Sequence, residues 1–310
     1  MSNKIATREA YGKALVKLGK TNDHVVVLDA DLSKSTKTND FFKAYPNRFF
    51  NMGIAEQNLL GAACGFAASG KIPFVSTFAM FATGRAFEVI RNSVCYPKLN
   101  VKICATHAGI TVGEDGGSHQ SVEDISLMRS IPNMTVLVPA DGIEAEKMIF
   151  AAAEFDGPTY VRLGRSAVPT IFGEDYNFEI GKGVVLREGN DATIISCGMM
   201  VNEALIAADM LKQENINVRV INMSTIKPID TELIIKAAKE TKAIVTAEEH
   251  SIIGGLGSAV SEVVSENHPV IVKKVGINDS FGESGTPNEL LEKYGLTAKN
   301  IVEKVKEALN

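Results

Sequence analysis

Apolar positions along the chain switch between two periods. Thr7 to Leu18 carries Tyr11, Ala14, Leu15 and Leu18 at helical spacing, with Thr7 placed to cap the helix. His24 to Leu28 is instead an unbroken apolar run, HVVVL, ending in Asp29-Ala30-Asp31, which reads as a buried strand and the loop after it. The alternation continues. Asn51 to Glu56 leads into a helix over 57–68, strands are predicted over 73–77, 101–106, 134–138 and 159–163, and helices over 81–94 and 143–153. Short strands separated by helices predict βαβ crossovers and a mainly parallel sheet. Such sheets bind ligands at the carboxyl ends of their strands, so the segments after Leu28, Thr77 and Thr106 are where chemistry is expected.

The texture changes between Ala167 and Asn190, a stretch with Pro169, four glycines and no helical period. It reads as a linker ending in a strand over 183–187. A second alternation follows, with strands over 192–196, 217–222, 243–247 and 270–275. Its helices cover 201–212, 231–239 and 256–265, and two short ones start at Asn288 and Ala298. The expected fold is α/β in two domains, each a mainly parallel sheet flanked by helices, with boundaries at 1–168 and 186–310 and a linker at 169–185. A length of 310 residues suits two domains.

A net charge of −5 argues against a nucleic-acid surface or a polybasic membrane surface. With 45% hydrophobic and 22% charged residues the chain is globular rather than disordered. It has no run of about 18 apolar residues, and its N-terminus shows no export signal, so a cytoplasmic location is expected. Cys64, Cys95, Cys104 and Cys197 all sit in apolar or strand-like surroundings without C-x-x-C spacing, which suits buried thiols in a reducing compartment. None pairs with a histidine at zinc-ligand spacing.

Three constellations carry candidate chemistry. Glu56, at a strand-to-helix junction among small and apolar residues, is expected to have its charged form disfavoured, which suits a proton-sharing carboxyl. The alternative is a helix N-terminal glutamate favoured by the helix dipole. Phe78 and Phe81 could wall a flat heteroaromatic ligand or simply belong to the core. The loop from His107 to Gln120 gathers His107, Asp115, His119 and four glycines, a set able to bind sugar hydroxyls or move protons near neutral pH. Arg8, Ser35, Arg162 and Arg165 are scattered candidates for phosphate contact. Glu248-Glu249-His250, ahead of Gly254-Gly255-Leu256-Gly257, reads as a turn before a helix with no catalytic role, and those glycines match no dinucleotide fingerprint.

Together the strings Leu28-Asp29-Ala30-Asp31, Gly53-Ile54-Ala55-Glu56-Gln57, Ser76-Thr77-Phe78, Gly113-Glu114-Asp115-Gly116, Arg129-Ser130-Ile131-Pro132 and Ile226-Lys227-Pro228-Ile229-Asp230 resemble the transketolase family over almost the whole chain. The resemblance implies a thiamine-diphosphate enzyme with a pyrimidine-binding domain and a transketolase C-terminal domain. It implies that Glu56 hydrogen-bonds the aminopyrimidine N1′ and so favours the imino tautomer that removes the thiazolium C2 proton. Phe81 would stack on the pyrimidine, with Phe78 lining the same pocket. Asp31 and Leu32 would approach the thiazolium side from the neighbouring chain. His119, matched to a catalytic position, and Asp115 would bind sugar hydroxyls, and His107, Arg165, Arg8 and Ser35 the substrate phosphate.

The family holds Mg²⁺ and the diphosphate with a Gly-Asp-Gly segment, and this chain has none. The resemblance therefore implies a split enzyme, with Mg²⁺ bound mainly by a separate N-terminal diphosphate-binding subunit, assembled two plus two. The implied reaction moves a two-carbon ketol unit between phosphosugars. Alternatives are a subunit like deoxyxylulose-phosphate synthase or the 2-oxo-acid dehydrogenase β chain, or a non-catalytic regulatory scaffold. Gly84 stands where some relatives have a third aromatic, and Gly117-Ser118 replaces a Pro-Thr common in the family.

Overall fold

The computed structural model describes residues 4–310. Strand β1 (Lys4–Ala6) leads into helix α1 (Thr7–Thr21), whose Ala10, Tyr11, Ala14, Leu15 and Leu18 form the buried stripe. The residue before the helix is Ala6, so Thr7 does not cap it. Thr7 Oγ1 instead accepts the Gly164 N–H at 2.8 Å, tying α1 to the far side of the sheet. The apolar run becomes the fully buried β2 (Val25–Asp29). Two helices too short to show a period follow, α2 (Ser33–Thr36) and α3 (Asn39–Ala44), then β3 (Phe49–Asn51), α4 (Glu56–Ala68) and β4 (Ile72–Ser76).

The helix expected over 81–94 is not a regular one. It is a π-helical turn at Phe81–Arg85, a short α5 (Phe87–Val89) and a second π segment at Ile90–Cys95. Widened turns of this kind recur at functional sites, because they re-aim side chains. Then come β5 (Lys102–Ala105), a 3₁₀ segment at Ile110–Asp115, α6 (Asp124–Ser130), β6 (Thr135–Leu137), α7 (Gly142–Glu154) and β7 (Thr159–Arg162). Asp141 caps α7 by accepting the Glu144 N–H at 2.8 Å.

The stretch read as linker opens with β8 (Ala167–Pro169), which pairs antiparallel with β1, and closes with β9 (Val184–Arg187). The C-terminal part adds β10 (Ala192–Ser196), α8 (Met200–Gln213), β11 (Val218–Asn222), β12 (Thr225–Lys227) and α9 (Thr231–Glu240). It ends with β13 (Ala243–Ser251), α10 (Leu256–Asn267), β14 (Ile271–Ile277), α11 (Pro287–Lys293) and α12 (Ala298–Leu309).

Two large sheets result. One has the order β12-β6-β7-β5-β4-β2-β3 and the other β14-β13-β10-β11-β9. Both are parallel except at one edge, β12 in the first and β9 in the second. Strand β12 crosses over: it comes from the C-terminal part yet pairs with β6, Thr225 opposite Leu137. One apolar cluster accordingly runs from Leu28 and Ile103 through Val138 to Ile195, Ile221 and Val260. Three of the cysteines are buried; Cys64 is only half-buried, its Sγ facing the Ser93 carbonyl.

Glu144 pins the two parts together. It is fully buried, and its carboxylate accepts from Asn222 Nδ2 at 2.8 Å, the Tyr176 hydroxyl at 2.9 Å and the Ala140 N–H at 2.7 Å. Burial outweighs these donors and pushes its pKa up to about 7. The folded protein therefore binds a proton that the unfolded chain has released, and this contribution to stability is lost as pH rises from about 4.5 to about 7. The difference in unfolding free energy between wild type and Glu144→Gln is expected to change by on the order of 2–3 kcal/mol across that window. Denaturant titrations at a series of pH values would measure it, and parallel pH profiles would refute the assignment.

Candidate active site

The carboxyl ends of β2, β4, β5 and β7 converge on one edge of the first sheet, and four rings gather there. Phe78 and Phe81 lie nearly parallel with centroids 5.8 Å apart. The His107 imidazole stacks on Phe78 at 3.8 Å. His119 meets Phe81 edge-on at 5.4 Å. Phe78 is held by a bridge to Thr106 just beyond β5, and Phe81 opens the π-helical turn. Beta geometry and a widened helical turn thus aim both phenyl rings at one place.

His107 is buried and has a positive φ of 56°. Burial first, then the nearby Arg8 and Arg165 cations, pull its pKa down to about 3. The ring is held in its neutral form at neutral pH. Its Nδ1 lies 2.9 Å from Thr106 Oγ1 and its Nε2 3.4 Å from the Arg8 guanidinium. Arg8 also donates to the Ser35 carbonyl at 2.8 Å, so Arg8, Ser35 and His107 form one group. The Arg8 Nε is buried with no hydrogen-bond partner.

Arg165 donates to the Val112 carbonyl and lies 3.5 Å from Glu114 and 3.8 Å from Asp115. That places it on the loop carrying Asp115 and His119, whose Nδ1 lies 2.9 Å from Ser118 Oγ. Arg162 is a different case. Its guanidinium is buried against Asp124 at 2.8 Å and donates to the Glu249 carbonyl, so the structure assigns it to packing and removes it from the phosphate candidates.

Asp31, at φ 63°, is bracketed by Asn51, whose Nδ2 donates to its carboxylate at 2.9 Å. Leu32 donates its N–H to the buried Asp29, which also accepts from Thr36 and Thr38. This turn stands at the outer rim of the edge, with Asp31 exposed.

Glu56 starts α4 and is buried. Its surroundings are not the wholly apolar ones expected from sequence. The Arg85 guanidinium sits 3.2 Å from Oε1 and 3.3 Å from Oε2, with its central carbon 4.5 Å from the centre of the Phe81 ring. Arg85 is more than half exposed and borders, with Glu56, Gln57 and Asn58, an open cleft of about 450 Å³. Nothing in the pattern around Arg85 flagged it, because a cation in a helical stretch reads as a solvated surface residue; its place four positions after Phe81, on the same helical face, brings it over that ring.

Among the described residues no three His, Cys, Asp or Glu side chains cluster to hold a metal ion. No helix is long and apolar enough to cross a membrane.

The family described as transketolase, pyrimidine binding domain, matches residues 3–170, and transketolase, C-terminal domain, matches residues 181–301. A Methanocaldococcus jannaschii protein provisionally named a transketolase C-terminal section is 53% identical over 97% of this chain and 96% of its own length. A 6-deoxy-6-sulfo-D-fructose transketolase subunit from a Clostridium species is 44% identical over 95% of this chain and 92% of its own. A solved structure described as a split gene transketolase, inactive beta4 tetramer, superposes with a TM-score of 0.92 at 60% identity, covering 99% of both chains. With both domain types present in order and a relative matched nearly end to end, the chain belongs to the transketolase family.

Proposed function

We propose that this chain is the pyrimidine-side subunit of a two-subunit, thiamine-diphosphate-dependent transketolase acting on phosphosugars. The observation that carries the reading is the meeting of a buried carboxylate, Glu56, with an aromatic shelf, Phe81 and Phe78, at the ligand-binding edge of a parallel sheet. A flat pyrimidine fits that chemistry, since an acid is presented for a ring nitrogen and a phenyl face for the ring itself. The sequence has no Gly-Asp-Gly segment, which suits Mg²⁺ and the diphosphate being held by another, N-terminal-type subunit. The beta4 tetramer described for the structural relative as inactive supports dependence on such a partner.

Bound thiamine diphosphate would supply a stabilised carbanion, and the protein's part is orientation and proton handling. Glu56 would hold a proton at the pyrimidine N1′. Phe81 would cover the ring, and Phe78 would close the pocket behind it. Asp31 and Leu32, at the rim, would approach the thiazolium of the neighbouring active site. Neutral His107, with Arg8, Ser35 and Arg165, would hold the terminal anion of the sugar, Arg8 through its unpartnered Nε. Asp115 and His119 would meet the sugar hydroxyls, His119 being the one placed against Phe81 and the reacting end.

A sulfonated sugar is the second reading, favoured by the activity for which the Clostridium relative is named; an anion held by arginines does not by itself separate sulfonate from phosphate. Parallel assays with the two sugar classes decide between them.

The purified chain alone is expected to show no turnover, with ketol transfer from xylulose 5-phosphate to ribose 5-phosphate appearing once a diphosphate-domain subunit, Mg²⁺ and thiamine diphosphate are added. Full turnover by the isolated chain would falsify the split site. Glu56→Gln in the assembled enzyme should lower kcat by roughly 100-fold or more, the scale of a lost acid–base contact, while a mutant with an intact rate would remove the pyrimidine assignment. Arg85 now engages both groups offered to the pyrimidine and has to be displaced. Arg85→Gln is therefore expected to tighten thiamine-diphosphate binding about threefold to tenfold by calorimetry, reflecting the ion pair and ring contact no longer broken. Unchanged or weaker binding would show that Arg85 does not obstruct the cofactor.

A further inference from the structure

Glu248-Glu249-His250 lies near the carboxyl end of β13, an interior strand of the second sheet, and all three residues are buried. Each has a separate task. Glu248 accepts the Leu256 and Gly257 N–H groups at 2.7 and 2.8 Å and so caps α10. His250 Nε2 receives the Ser126 N–H at 3.3 Å, across the seam in α6. Glu249 reaches into the loop that carries the candidate sugar-binding groups: its Oε1 accepts the Thr111 N–H at 2.8 Å.

The fit on the loop side is close. Gly109 has φ +81°, and a Cβ built there would lie 2.3 Å from the Glu249 carboxyl. The loop is also held to the C-terminal part by Ile110, which packs in its apolar core, and by two hydrogen bonds, Gln120 Nε2 to the Glu283 carbonyl at 2.8 Å and Ser284 Oγ to the Glu114 carbonyl at 2.7 Å. The first of these hydrogen bonds is part-buried and the second exposed, whereas the Glu249 contact is buried. Behind Glu249, Arg162 donates to its carbonyl at 2.8 Å and pairs with Asp124, so the carboxylate stands on a braced support.

We propose that Glu249 is a positioning residue for substrate: a carboxylate of the C-terminal domain that fixes the 107–120 loop through the Thr111 amide and thereby sets Asp115 and His119. This gives the C-terminal domain an indirect part in binding sugar, through the loop, although none of its residues belongs to the aromatic shelf. The inference rests on the functional reading above for the identity of the ligand, but the loop contact itself does not depend on it.

The test uses Glu249→Ala and Glu249→Gln in the full chain, alone and assembled with its diphosphate-domain partner. Glutamine keeps an oxygen able to accept the Thr111 N–H; alanine does not. In the isolated chain, hydrogen exchange at Thr111 and its loop neighbours is expected to speed up about tenfold in Glu249→Ala and to stay near wild type in Glu249→Gln, the scale of one buried hydrogen bond to a charged group. In the assembled enzyme, Glu249→Ala should raise the phosphosugar KM about tenfold or more with the calorimetric Kd for thiamine diphosphate within about twofold, and Glu249→Gln should recover most of the loss. A KM unmoved by alanine, or a KM and cofactor Kd that rise together, would overturn the positioning role. If alanine does not fold, glutamine against wild type still decides, since a KM loss in Glu249→Gln with unchanged loop exchange overturns it as well. Accelerated exchange in Glu249→Ala, combined with a wild-type complex that turns over no sugar, would overturn the functional reading while leaving the loop contact in place.

Discussion

A buried guanidinium organises the seam between the two halves of this molecule. Arg162, at the carboxyl end of β7, is paired with Asp124 at the start of α6 and donates to the backbone of β13 at Glu249. A charge taken out of water is tolerable only when its partners are fixed, so neither sheet can shift without uncovering it. Burial alone would raise the Asp124 pKa, but the Arg162 cation holds it below the usual carboxylate range, and the Tyr160 hydroxyl adds a hydrogen bond at 2.7 Å. Glu249, in contact with the same network, has its pKa raised by burial against the opposing pull of Arg162 and the Thr111 amide. The 107–120 loop leans on this cluster through the Thr111 amide and Glu249.

The candidate site is open to one side. Glu56 borders an open cleft together with Arg85, whose guanidinium also lies over the Phe81 ring. The group formed by Arg8, Ser35 and His107 joins the aromatic pair through the stacking of His107 on Phe78. The crossover of β12 and the Glu144 contacts make the two halves of the chain one folding unit around this edge.

Much of this was legible from local pattern. The alternation of apolar runs and helical stripes located nearly every long helix and every central strand, because burial on both faces of a parallel sheet leaves continuous apolar segments. Short elements escaped: α2 and α3 are less than two turns long, and β12 is three residues whose partner strand lies almost ninety positions away in the chain. Thr7 looked like a cap because hydroxyls usually serve that role, yet its bond went to Gly164, a choice visible only once β7 is in place. Arg162 looked like any phosphate-seeking arginine until Asp124 was seen beside it.

By itself, the sequence determined which residue types stand at strand ends and helix starts, and so the identity of Glu56, the paired phenylalanines, the histidine loop and the missing Gly-Asp-Gly. These depend on local order along the chain, which composition and spacing record. Only the tertiary structure decided the charge environments: Arg85 against Glu56, a neutral His107 beneath Arg8 and Arg165, and Glu249 against the Thr111 amide. Those contacts join residues 29 to 138 positions apart, and the electrostatics of a buried group are set by whatever lies within a few ångströms of it, which spacing along one strand or helix does not encode.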